Sequence, residues 1–169
     1  LGCYVLYNEL KDLHKDTFSS TSENLYEALK EIPDSTNNSL ILINNYISIE
    51  TEGSESLLEF VEQGNSVFIS ANYFYGILAD TLNIEFSRNY SGFLKSPSHN
   101  TFVNPALKKN NTYFTDVIEN NFIISIDTSK AVVLGNYWDE DKTFSEVNYI
   151  KSPFGSKGGA FYIHSNPFA

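Results

Sequence analysis

Two short apolar runs, SLILI at residues 39–43 and SVFIS at residues 66–70, constrain this chain more than any other feature. Both are continuous rather than alternating, which suits strands buried on both faces of a parallel sheet. Between them, residues 52–63 place Leu57, Leu58 and Val61 on one face of a helix, and Gly64 stands where a helix C-cap belongs. Strands joined through a helix pair in parallel, and their crossover is right-handed. The expected fold class is therefore α/β, with a mainly parallel central sheet.

The flanking segments extend this pattern. Residues 4–13 carry Leu6, Leu10 and Leu13 at helical spacing, and a short extended piece is expected at 17–19. Ser20-x-x-Glu23 has the form of a capping box, with Leu25, Ala28, Leu29 and Ile32 on one face of the helix that follows and Pro33 just past its end. After the second strand, Asn72 suits an N-cap, and Phe74, Ile77, Leu78 and Leu82 mark the next helix. The order α, α, β, α, β, α is that of a layered α/β sheet. Beyond Asn83 the texture changes. Residues 87–111 are polar, contain Gly92, Pro97 and Pro105, and read as a long functional loop. Strand-like runs then fill the carboxyl half at 113–118, 122–126, 131–134, 147–151 and 160–164. Asp127-Thr128-Ser129-Lys130 and the Gly-rich 152–159 read as hairpin connections. With 169 residues and no internal repeat, residues 1–169 are expected to form one domain.

Charge and residue usage exclude several functions. The formal net charge is −10 with no cluster of Lys or Arg, so neither nucleic acid nor an anionic membrane surface is an expected partner. No run approaches the roughly 18 apolar residues of a spanning helix, so any membrane anchor is expected outside residues 1–169. The absence of Met suggests a fragment excised from a longer protein. Cys3, the only cysteine, rules out an internal disulfide and a Cys-based metal cluster. LGC at residues 1–3 superficially resembles a lipidation signal, but Cys3 runs straight into a helical pattern without a polar tether. His14 and His99 lack partners at ligand spacing, and the acidic run at 139–141 lacks the alternating oxygens and glycine of a calcium loop. SPFGSKGG lacks the phosphate-loop pattern, with no helix after it. No metal and no cofactor are expected. Sequons at Asn37, Asn89 and Asn110 are what chance gives in a chain with nineteen Asn.

Two strand ends could carry chemistry. Ser70 closes SVFIS, where ligands of open α/β sheets bind. The turn after it reads ISANYF, without the flanking glycine that a strained nucleophile elbow needs. His164 closes AFYIH and is followed by Ser165, Asn166 and Pro167. Aromatic residues crowd nearby at Tyr73, Phe74 and Tyr75.

GCYVLYNELKDL at 2–13, LLEFVEQGNSVFISANYF at 57–74 and FGSKGGAFYIHSNPFA at 154–169 together resemble the bacterial domain-of-unknown-function family numbered 4350. That family lies within the class I glutamine-amidotransferase-like superfamily. The resemblance implies a flavodoxin-like three-layer sandwich, held outside the cytoplasmic membrane by a membrane-anchored protein. Catalytic members of the superfamily carry a Cys in the elbow and a His-x-Glu pair on a late strand; others are non-catalytic protein-interaction or sugar-binding modules. Here the elbow region 70–72 has no Cys, and the position two past His164 is Asn166. An Asn orients an imidazole but does not stabilise imidazolium as a carboxylate does. The expectation is a non-catalytic binding or protein-interaction domain in the periplasm, whose partner is another envelope protein or a small polar ligand. Its binding surface would comprise Ser70, Asn72, Tyr73, His164 and Asn166, with the 87–111 segment nearby. A hydrolase using Ser70 and His164 is the alternative, and a Ser or Cys in catalytic geometry within hydrogen-bond reach of His164 would sink the non-catalytic reading. A third possibility is a structural sensor or assembly subunit with no pocket.

Overall fold

The structure, a computed structural model, describes residues 2–33, 37–90, 96–108, 113–117, 119–138 and 145–167. The amino half contains α1 (Gly2–His14), a 3-10 turn (Lys15–Thr17), α2 (Leu25–Lys30), β1 (Ser39–Ile43), β2 (Tyr46–Ser48), α3 (Thr51–Glu62), β3 (Ser66–Ser70), β4 (Tyr73–Tyr75) and α4 (Ile77–Leu82). The rest is strand: β5 (Glu85–Tyr90), β6 (Ser96–Phe102), β7 (Tyr113–Val117), β8 (Glu119–Ser125), β9 (Val132–Trp138), β10 (Ser145–Pro153) and β11 (Ala160–His164).

β1, β3 and β11 lie side by side in parallel, with Ser39 opposite Ser66 and Ala160 opposite the same Ser66. From β11 the sheet continues antiparallel through β10, β9, β6 and β7, while β8 joins the amino end of β10 and carries β5. The class is α/β, with the strand-rich carboxyl half extending the sheet. Strand alternation separates the two faces. Val67, Ile69, Phe161 and Ile163 are fully buried and join Leu57, Phe60 and Val61 of α3, Leu29 of α2 and Leu78 of α4 in the core. Phe68, Ser70 and His164 face the other way, beneath α1, which forms the third layer. α1 buries little: Tyr4 is 71% and Leu13 73% exposed.

Several local readings change. β1 is an edge strand, with Ile41 exposed, so its apolar run does not reflect burial on both faces. The helix after residue 20 is capped by Asn24, whose Oδ1 accepts from Glu27 N at 3.0 Å, rather than by a Ser20–Glu23 box. Asn24→Ala is expected to cost about 1 kcal/mol, read as a small shift in a urea melt. Residues 15–17 form the 3-10 turn, so of the extended piece expected at 17–19 Thr17 belongs to the turn while Phe18 is extended, at φ −91° and ψ 128°. Asn72 caps no helix, because β4 intervenes and Gly76, at φ 94°, precedes α4. β2 and β4 are short and aromatic, and they form their own parallel pair. The expected loop at 87–111 contains most of β5 and all of β6. Buried His99 and Asn100 break the alternation that would have marked β6. Residues 127–130 do make a turn, with Lys130 N donating to Asp127 O at 3.0 Å. It is no hairpin, since β8 and β9 do not pair with each other but both flank β10. The 152–159 connection is a hairpin between β10 and β11, with Gly155 and Gly158 at φ 72° and 87°. The acidic run at 139–141 lies outside the described residues.

Candidate functional site

The register of two neighbouring parallel strands builds the centre of the site. His164 on β11 is paired with Ser70 on β3, so both side chains leave the sheet on the same face at its carboxyl edge. Ser70 Oγ lies 3.1 Å from His164 Nδ1, and Ala71 N donates to His164 O at 3.0 Å. Tyr149 on β10, opposite His164 on the other side, turns its ring edge-on to the imidazole at 5.7 Å. Burial among these groups pushes the His164 pKa from its ordinary 6.5 down to about 4, so the ring is neutral near pH 7. Burial also pushes the Tyr149 phenol up, with a smaller contribution from Tyr162.

Above this pair opens a cleft of about 920 Å³ between the sheet and α1. Its amide groups come from three separate segments. Asn44 and Asn45 lie between β1 and β2, Asn100 on β6 and Asn148 on β10. Asn148 Nδ2 donates to Asn100 Oδ1 at 2.6 Å. Gly135 on β9 makes room for this arrangement. A Cβ there would lie 3.1 Å from Thr101 O and 3.2 Å from Asn148 Oδ1. Phe68, Phe102 and Tyr149 supply an aromatic cluster, with Tyr149 centred 6.2 Å from Phe68 and 6.3 Å from Phe102.

Of the five residues expected at the binding surface, Ser70 and His164 meet in the cleft. Asn72 stands behind it, where its Nδ2 donates to Asn45 Oδ1 at 2.5 Å. Tyr73 stacks on Tyr46 in the β2–β4 pair, at 5.4 Å and 9° between ring planes. Asn166 is buried just beyond β11, after Ser165, whose Oγ donates to Asn121 O at 2.6 Å. Asn100, Asn148 and Tyr149 were not among the expected site residues. Their sequence signal is an amide set within strand patterns, which says that a polar group faces inward but not which distant strand it will meet.

A serine does stand within reach of His164, so the distance part of the condition set against the non-catalytic reading is met, and the contact favours the hydrolase alternative. Three features weigh against turnover. Among the described residues no carboxylate lines the cleft, so nothing there would stabilise an imidazolium. The imidazole uses Nδ1 toward the serine and is a weak base. Ser70 is the last residue of a regular strand, is only 4% exposed and has no positive φ, unlike a strained elbow. A neutral ring bonded to a neighbouring hydroxyl is how a buried imidazole is ordinarily satisfied.

Among the described residues no three His, Cys, Asp or Glu cluster as metal ligands, and no helix is long and apolar enough to cross a membrane. No protein-family model matches the chain, and no curated protein matches it. Among solved structures it is similar to the cytoplasmic protein STM3548 from Salmonella typhimurium, with a TM-score of 0.53 and 13% identity over 93% of this chain and 74% of that one. It is also similar to part of a GH42 β-galactosidase from G. stearothermophilus, with a TM-score of 0.51 and 16% identity, over 75% of this chain. The match spans only 19% of the galactosidase chain. At such identities the likeness is one of fold alone.

Proposed function

We propose that this chain is a non-catalytic binding domain whose site is the cleft over Ser70 and His164. Within the reading from family 4350, it would be displayed on the periplasmic side of the cytoplasmic membrane by a membrane-anchored, amidotransferase-like protein. The cleft itself carries the proposal: a concave site of about 920 Å³ at the carboxyl ends of β3 and β11, with a serine–imidazole contact but, among the described residues, no acid lining it. Concavity favours a small polar ligand over a flat contact with another envelope protein. The net charge of −10 argues against nucleic acid, and the proposal requires no cofactor.

The test is a screen of small polar metabolites against isotope-labelled protein by NMR. Binding is expected to shift the amides of Ser70, Asn100, Asn148 and His164 together. Binding that maps elsewhere, or none, overturns the proposal. The 3.1 Å contact supports a second reading as a Ser70–His164 hydrolase. A fluorophosphonate probe separates the two. The binding reading expects Ser70 to stay unlabelled in the folded protein. Labelling of Ser70 that His164→Ala abolishes would establish the hydrolase. Ser70→Ala is expected to cost only about 1 kcal/mol of stability, the worth of one hydrogen bond.

A further inference from the structure

We infer that the cleft selects an uncharged ligand, one with an apolar face and an edge of hydroxyl or amide groups, and rejects carboxylates, phosphates and ammonium groups. The inference rests on the binding reading above and names the ligand class for that site.

The primary observation is a missing residue type. Charged residues make up 19% of the chain, yet among the described residues none that lines the cleft is Asp, Glu, Lys or Arg. The polar groups that do line it are amides, hydroxyls and the His164 ring. With Asn148 Nδ2 donating to Asn100, and the Oδ1 atoms of Asn44 and Asn45 accepting from Asn45 N and Asn72, Asn148 keeps an acceptor and Asn44 and Asn45 keep donors, so together they match a ligand edge that also carries both. An ionised ligand entering here would shed its water and meet no counter-charge, which is the costly case for a buried ion. Phe68, Phe102 and Tyr149 cover the remaining wall with ring surface, which rewards an apolar ligand face and adds nothing for a charged group's shell of water.

The arrangement is also fixed in advance. Asn148 is held by Asn100, and Asn45 by Asn72. Gly135 leaves no side chain that could swing between them. Amides already fixed by neighbours discriminate on hydrogen-bonding pattern, because a mismatched ligand leaves them unpaired.

Matched probe pairs test this by NMR titration: benzamide against benzoate and benzylamine, and methyl glucoside against glucuronate. The uncharged member of a pair is expected to shift the cleft amides, with its charged counterparts at least about a hundredfold weaker, since one uncompensated charge outweighs two tenfold steps. Added salt is expected to leave the uncharged binding unchanged. Asn44→Asp, at the exposed rim where folding is not at stake, is expected to create binding of benzylamine. Benzoate, glucuronate or benzylamine binding the parent cleft as tightly as its uncharged partner would overturn the inference and leave the binding domain standing. No shift in the cleft from any probe, together with an empty metabolite screen, would overturn both.

Discussion

Gly159→Ala is expected to destabilise the fold by about 3–5 kcal/mol, the range reserved for the most damaging single substitutions. A Cβ at Gly159 would overlap Val61 O and lie 2.9 Å from Asn65 O. Both obstacles are backbone, at the carboxyl end of α3 and in the turn leading to β3, so no side chain can rotate out of the way. Either α3 must lift from the sheet, uncovering Val61 and Phe161, or the β10–β11 hairpin must open. Gly158→Ala is the control. Gly158 has φ 87° with nothing within 4 Å of an added Cβ, so the cost is that of a left-handed residue, about 1–2 kcal/mol. Urea denaturation of both variants separates crowding from backbone conformation. Equal midpoints for the two would show that α3 does not meet β11 as described.

The second large effect is acid sensitivity centred on His164. Its pKa is about 4 in the folded protein against an ordinary 6.5. Between those values the unfolded chain binds a proton that the folded one does not, so stability rises with pH. The contribution is whole above about pH 6.5, falls as pH drops through the window, and levels off below pH 4. The difference corresponds to about 3 kcal/mol, an upper figure because one edge of the ring borders the cleft. His164→Gln keeps a polar group next to Ser70 and cannot titrate. Its stability is expected to lose this dependence, so parent and variant curves measured from about pH 7 to pH 4 should converge or cross toward the acid end. Parallel curves would show that the ring is freely solvated.

How much of this was legible beforehand varied with the length scale of the signal. SLILI, SVFIS and AFYIH each announced a strand because a short apolar run is a local property, and the helix between the first two announced their parallel pairing, but nothing local said that AFYIH would lie parallel beside SVFIS. Their carboxyl ends located Ser70 and His164, the two site residues that meet. β2 and β4, three residues each, were too short to show a period, and Phe74 of β4 was read as part of the following helix. β6 was hidden for a different reason. Inward-facing polar residues such as Asn100 interrupt the alternation by which a strand is recognised, and those same residues build the cleft. What made the site also disguised β6, which helps to carry it.

β11 comes late in the chain and sits inside the sheet. It is the last of the described strands along the chain, yet it lies between β3 and β10, and it closes a contact between residues 94 positions apart. During synthesis, β3 therefore emerges long before its inner neighbour and waits with one ladder of backbone groups unpaired. The parallel half and the antiparallel half become one sheet only when that final segment slots between them. Folding is thus committed after synthesis of residues 160–164, and a chain halted earlier presents SVFIS as an open edge, the kind of surface that chaperones shield and aggregates extend.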